Sequence, residues 1–209
     1  MLNTESGLTN SYQREQFEQL VLPHMDAAYN LARWLVRNPH DAEDVAQEAM
    51  TRAIKFFSGF RGGDPRAWLL TIVRNSCFTW LGRNRAKDLA EFDEETHSPG
   101  ANPVAVNSPG ISAHGNQSSI PGPANPEAMA VAQAESARVR RALEELPVIF
   151  REAVVMREIE GMSYKEIADV TNVSVGTVMS RLSRGRDRLR AILVESIRTN
   201  PVRQEEPIP

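Results

Sequence analysis

The chain has 209 residues, of which 24% are charged and 41% hydrophobic, with a formal net charge of −3; this length suits one large or two small domains, and the composition excludes a wholly disordered chain. No apolar run approaches the ~18 residues needed to cross a bilayer, and Met1 to Asn10 is polar, without a basic start or apolar core, so neither a signal peptide nor membrane insertion is expected and the expected location is the cytoplasm. The single cysteine, Cys77, forms no internal disulfide, and with His24, His40, His97 and His114 scattered without ligand spacing, neither a metal nor a cofactor is expected.

In chain order, Phe17, Leu20, Val21, Met25, Ala28, Leu31 and Leu35 recur at three- and four-residue steps, the spacing of an amphipathic helix that Pro23 kinks or splits. Asn38-Pro39-His40-Asp41 breaks the pattern and offers Asp41 as the cap of a helix carrying Val45, Ala49, Ala53 and Phe56 on one side. Asp44, Gln47 and Glu48 lie on the opposite side. After a turn over Gly59 to Pro65, a third helix runs through Trp68, Leu69, Ile72, Val73, Trp80 and Leu81. It carries Arg66, Arg74, Arg83, Arg85 and Lys87 with no acid between Pro65 and Lys87, and so reads as a cationic rod. Trp68 and Trp80 read as core rather than as base-stacking platforms, and Cys77 as a small hydrophobe rather than a redox sensor.

Ser98 to Pro126 contains 29 residues without Asp, Glu, Lys or Arg, and 10 of them are Pro or Gly; such a segment cannot bury a core. Together with Asp88, Glu91, Asp93, Glu94 and Glu95 just before it, it makes an anionic linker over residues 88–126 between a domain at 11–87 and a second at 127–200. The linker spans roughly 31 to 37 Å as a flexible coil and up to ~140 Å fully extended.

The second domain opens with a helix holding Val139, Ala142, Leu143 and Leu146 and stopped by Pro147, followed by one with Phe150, Val154 and Ile159 that ends at Gly161. Ser163-Tyr164-Lys165-Glu166 is a capping box. It starts a short helix with Ile167, Ala168 and Val170, closed by Thr171-Asn172-Val173, where Asn172 tolerates the left-handed region. Ser174 caps a long helix with Val178, Leu182, Leu189 and Leu193 as its buried stripe. Thr177, Arg181, Arg184 and Arg188 fall on an adjacent face expected to be exposed. A short helix, a tight turn and a long cationic helix follow the order of a helix-turn-helix, whose second helix fits the major groove of DNA. The fold class expected is all-α: two small helical domains joined by a flexible linker, the second a four-helix domain with a helix-turn-helix.

Asp41-Ala42-Glu43-Asp44-Val45-Ala46-Gln47-Glu48, then Phe60-Arg61-Gly62, then Pro65 to Asn75, and then the helix-turn-helix come in one order along the chain. This order resembles the bacterial RNA polymerase sigma factors of the extracytoplasmic-function group. The resemblance implies a transcription initiation factor, not an enzyme, whose partners are core RNA polymerase, promoter DNA and an anti-sigma factor. By resemblance, Asp44, Gln47 and Glu48 bind polymerase, and Arg74, Asn75, Arg83 and Arg85 bind the −10 element, with Asn75 holding an unstacked base. Ser174, Thr177, Ser180, Arg181 and Arg184 match positions that face the −35 element. Met179 departs from the family pattern, standing where many relatives carry a charge. The alternative is a conventional helix-turn-helix regulator with the first domain as a sensor, which leaves the acidic helix and Asn75 without a task.

Overall fold

The computed structural model describes residues 13–84 and 126–199. Arg85, most of the linker and both tails lie outside the described residues. Every described element is helical. Helix α1 (13–20) closes as the Val21 amide donates to the Phe17 carbonyl at 2.9 Å. Pro23 splits rather than kinks the pattern: Leu22–His24 is a 3-10 turn, and α2 (Met25–Val36) comes directly after it. Leu20 and Met25, expected inside, are exposed at this break, whereas Phe17, Val21, Ala28, Leu31 and Leu35 are buried.

Helix α3 (Pro39–Phe56) is capped by Asn38, whose side chain accepts from the His40 amide at 3.0 Å, and Asp41 sits inside the first turn. The expected Asp41 cap therefore lies too late in the chain. Proline at the first helical position holds the preceding residue extended, and that makes Asn38 the cap. Val45, Ala49 and Ala53 are buried as expected, but Phe56 is 58% exposed and Phe57 takes the core position at 7%, because the helix tightens there into a 3-10 turn over Phe57–Gly59. Phe57 then meets Phe17, Phe60 and Trp68 at ring-centroid distances of 5.2, 5.9 and 6.1 Å, and Trp68 is half-buried against the edge of the core. Helix α4 (Pro65–Asn84) packs on α2 and α3.

The second unit comprises α5 (Pro126–Glu145), α6 (Val148–Val154) continued by a π turn over Val155–Ile159, α7 (Tyr164–Thr171) and α8 (Val175–Thr199). The extra residue in a π turn rotates the residues after it off the buried face, and Ile159, expected inside, is exposed. Val139 is exposed as well. Gly161 (φ 67°) and Asn172 (φ 53°) occupy the left-handed region as their types suggested. Both halves of the capping box form: the Glu166 amide donates to Ser163 Oγ at 3.2 Å and the Ser163 amide to Glu166 Oε2 at 2.6 Å. Those bonds hold the Glu166 carboxyl below its ordinary pKa.

Helix α8 crosses α6 at Gly185. A Cβ there would lie 2.9 Å from Val154 Cγ2 and 3.3 Å from the Phe150 carbonyl oxygen. Gly185→Ala gains about 1 kcal/mol of helix propensity but overpacks a branched side chain and a backbone atom at a cost of about 1–3 kcal/mol. The expected outcome is a net loss near 1 kcal/mol, read as a lower denaturation midpoint at unchanged slope.

The two units pack together. Helix α2 lies against α6 and α4 against α7, and the buried residues of both form one cluster.

Candidate functional site

The acidic face of α3 is presented as the sequence suggests. Asp44, Gln47 and Glu48 are all exposed, while Ala42, Val45 and Ala49 on the other side are buried. Arg52 pairs with Glu48 one turn away, both side chains being well exposed. Such a pair is worth only a few tenths of a kcal/mol, so the carboxylate is readily given up to another partner.

At the start of α8, Ser174 Oγ accepts from the Thr177 amide at 3.1 Å and meets Thr177 Oγ1 at 2.8 Å. Ser174 thus caps the helix. Ser180, which donates to the Thr177 carbonyl at 2.9 Å, and Arg184 are exposed, as is Met179. Arg181 and Arg188 are not on the open surface expected for them. The Arg188 guanidinium lies 5.0 Å above the Phe150 ring. Arg181 retains 12% of its side-chain exposure and donates to Glu152 Oε1 at 3.3 Å.

Glu152, with no side-chain exposure, also takes Arg74 from α4: Arg74 Nε donates to Oε2 at 2.8 Å and Nη2 to Oε1 at 3.2 Å. One buried carboxylate of α6 therefore joins a cation of the first unit to a cation of α8. A carboxylate taken wholly out of water costs several kcal/mol unless paired, and here one partner comes from each unit, Arg74 from the first and Arg181 from the second. Burial lowers the pKa of Arg181, an effect that Glu152 opposes and Arg74 reinforces. Arg74 also lies 4.3 Å over the Phe78 ring.

A second link joins Arg66 of α4 to Glu160, to the carboxylate at 2.6 Å and the backbone carbonyl at 2.7 Å. Of the five cations expected along α4, Arg66 and Arg74 are drawn to acids of the second unit, Arg83 is exposed, and Arg85 and Lys87 lie outside the described residues. Asn75, adjacent to Arg74, is exposed, and its backbone carbonyl accepts from Thr79 Oγ1 at 2.8 Å. Cys77 is buried, its thiol pushed up to about 12 chiefly by that burial; it is a core residue rather than a reactive one.

Sequence reasoning missed Arg151 and Glu152. Arg151 is fully buried and donates to the carbonyls of Glu144 and Leu146 at the end of α5 and of Leu35 at the end of α2, at 3.0, 3.2 and 3.2 Å. A guanidinium thereby satisfies the final turns of a helix from each domain, where a cation is favoured. A signal exists in the sequence: from Leu146 to Met156 the only charged residues are Arg151 and Glu152. A helix with no solvated face is buried all round, so its charges need internal partners. Among the described residues no cluster of metal-ligating side chains occurs, and no helix is long and apolar enough to cross a membrane.

Residues 20–87 match the family model described as Sigma-70 region 2, and residues 136–189 match that of Sigma-70, region 4. The chain is 34% identical to the ECF RNA polymerase sigma factor SigE of Mycolicibacterium smegmatis, the match covering 86% of this chain and 62% of that protein. It is 30% identical to the RNA polymerase sigma-H factor of Pseudomonas aeruginosa, covering 88% and 90% of the two chains. Among solved structures, it is similar to the sigma factor RpoE in complex with the anti-sigma factor NepR from Bartonella quintana, with a TM-score of 0.57 and 25% identity over 86% of this chain and 98% of that one. It is also similar to CnrH in complex with the cytosolic domain of CnrY, with a TM-score of 0.55 and 27% identity over 90% and 94%.

Proposed function

The chain belongs to the extracytoplasmic-function group of RNA polymerase sigma factors, and from that membership we propose that it binds core RNA polymerase and directs it to promoters by reading −35 and −10 elements and assisting their melting. The observation that carries this reading is the succession of a region 2 match on α2–α4 and a region 4 match on α5–α8. Residues 11–87 serve as the polymerase- and −10-binding domain and residues 127–200 as the −35-binding domain, with 88–126 as the tether.

Asp44, Gln47 and Glu48 supply an accessible acidic surface for polymerase, supported by their exposure on α3. Asn75 takes an extruded −10 base, Arg74 and Arg83 bind nearby phosphates, and Arg85 extends that set beyond the described residues. Ser174, Thr177, Ser180, Arg181 and Arg184 face the −35 element. The two similar solved structures are complexes, with an anti-sigma factor and with the cytosolic domain of CnrY, which supports an anti-sigma factor as a third partner of this chain. The work of a polymerase subunit places the chain in the cytoplasm, and we assign it no reaction of its own.

In vitro transcription tests this reading. Core polymerase supplied with the purified chain should initiate on a subset of a genomic fragment library that core alone leaves silent. Arg181→Ala should weaken that output, by about 1–3 kcal/mol if the arginine reads a base in bidentate fashion, and by more on the preferred promoter than on one with a scrambled −35 element. DNA binding without any stimulation of core polymerase would instead identify a conventional helix-turn-helix regulator.

A further inference from the structure

The face of α8 assigned to the −35 element has less hydrogen-bonding capacity to offer than its composition suggests. Ser174 Oγ and Thr177 Oγ1 lie 2.8 Å apart and share one hydroxyl proton. The Ser180 hydroxyl donates to the Thr177 carbonyl at 2.9 Å, so it offers a base its lone pairs alone. Arg181 is held by Glu152 at 3.3 Å. Arg184 stays on that face as an exposed cation.

Beside these polar groups the surface is apolar. Met179 is 50% exposed, and Val175 is exposed as well. The two stand one turn apart, at the i and i+4 spacing that sets side chains next to each other. At ~100° per residue, Met179, Ser180, Ser183 and Arg184 occupy one arc of about 140°, and all four are exposed. Met179 and Arg184 bound that arc, so a major groove that admits the helix meets an apolar border on one side and a cationic border on the other. Gly176, three residues before Met179, keeps the arc low. It is helical and outside the left-handed region, and a Cβ there would meet Ser174 Oγ at 3.8 Å, an ordinary contact. Neither packing nor backbone conformation calls for glycine at this position, and glycine is a poor helix former. What it provides is close approach of another molecule to the backbone.

On the base edges of the major groove the apolar group is the C5 methyl of thymine. Resting on the −35 role proposed above, we propose that Met179, flanked by Val175, is a specificity-determining residue that reads thymine by packing against its C5 methyl. The contact needs none of the protons that the helix has already spent, and it separates thymine from cytosine, which carries no methyl. An unbranched, polarizable thioether adapts to such a contact. Phosphates are bound by charge and hydrogen bonds, so sequence-independent binding does not draw on this side chain.

The test removes the methyl rather than the base. A random duplex pool of about 30 bp, nearly three helical turns, is selected on the full chain, alone and with core polymerase. The enriched sequence is then resynthesised with deoxyuridine replacing thymine at one position at a time. Deoxyuridine keeps every hydrogen-bonding atom of thymine and lacks the C5 methyl. At a position packed on Met179 the exchange should weaken binding about fourfold, the value of one methyl withdrawn from apolar contact. Met179→Ala should bind the thymine and deoxyuridine duplexes alike there, and Met179→Leu, which keeps an apolar tip, should restore part of the preference. Met179 is exposed and alanine is the better helix former, so the ratio is read on a folded chain. Val194→Ala is the control: it removes exposed apolar surface further along the same helix and should preserve the preference. Deoxyuridine tolerated at every position, a methyl preference that survives Met179→Ala, or the absence of any enriched sequence overturns the proposal. Lower transcription with Met179→Ala at an unaltered thymine preference also overturns it and assigns the residue to a protein contact. A preference that depends on Met179 in a chain that never stimulates core polymerase would keep the methyl contact and sink the sigma-factor reading, whereas stimulation without the preference does the reverse.

Discussion

Replacing Asp44 and Glu48 together by lysine should abolish capture of core RNA polymerase while leaving the helical circular-dichroism signal unchanged and the thermal midpoint within a few degrees of wild type. Both residues are exposed on α3, and the core contacts of that helix come from Ala42, Val45, Ala49 and Ala53. The fold loses little. Glu48→Lys exchanges the surface pair with Arg52 for a like-charge pair one turn apart, at a cost of a few tenths of a kcal/mol. Asp44 lies beyond the first turn of α3, where the helix dipole no longer matters. For a domain of this size each kcal/mol moves the midpoint by about 4–8 °C, so a larger fall would mean that the face supports the structure. A docking surface whose charge is reversed at two positions, by contrast, meets like charge and loses its steering and its pairing together. Co-purification of the double variant with core enzyme at wild-type yield would show that polymerase binds elsewhere.

The legible parts of this chain are those specified by near neighbours. The Ser163–Glu166 box, the left-handed Gly161 and Asn172 and the Ser174 cap each follow from a few consecutive residues, and together they frame the helix-turn-helix. The Asp41 cap fails for an equally local reason, since Pro39 moves the cap to Asn38. The acidic surface of α3 is legible because period alone separates Asp44, Gln47 and Glu48 from Val45 and Ala49.

What sequence alone does not specify is the choice of partner over long separations. Arg74 and Glu152 are 78 positions apart, and nothing in the helical period of α4 distinguishes an arginine awaiting phosphate from one already matched by a carboxylate. One trace is readable. Leu69 and Leu70 are both buried, as are Ser76 and Cys77; consecutive positions on a helix diverge by ~100°, so α4 buries an arc wider than one neighbour requires. Among its neighbours is α7 of the second unit. Arg181 departs from the exposed face that spacing assigned it because it pairs with Glu152 of α6 in its own unit, while Arg184 and Ser180 stay open.

Opening of the promoter is where Asn75 should matter. It offers a donor and an acceptor, it is exposed, and its backbone carbonyl accepts from Thr79 Oγ1, a bond that an alanine would retain. Loss of a structural cap is therefore not the expected effect of Asn75→Ala, and alanine is the better helix former. Extruding a base costs a few kcal/mol, part of which a side chain that holds the flipped base returns. With Asn75→Ala, polymerase binding should be intact, and transcription from a duplex promoter should fall about tenfold, equivalent to ~1.4 kcal/mol. A template already mismatched over the −10 region should recover only the part of that loss due to melting, because base capture stays impaired. Arg83, exposed on the last turn of the same helix, supplies a contrast: as a phosphate contact, its replacement should weaken all templates alike. Permanganate footprinting that finds normal open-complex formation with Asn75→Ala would remove this residue from the mechanism and leave the exposed end of α4 with an electrostatic role only.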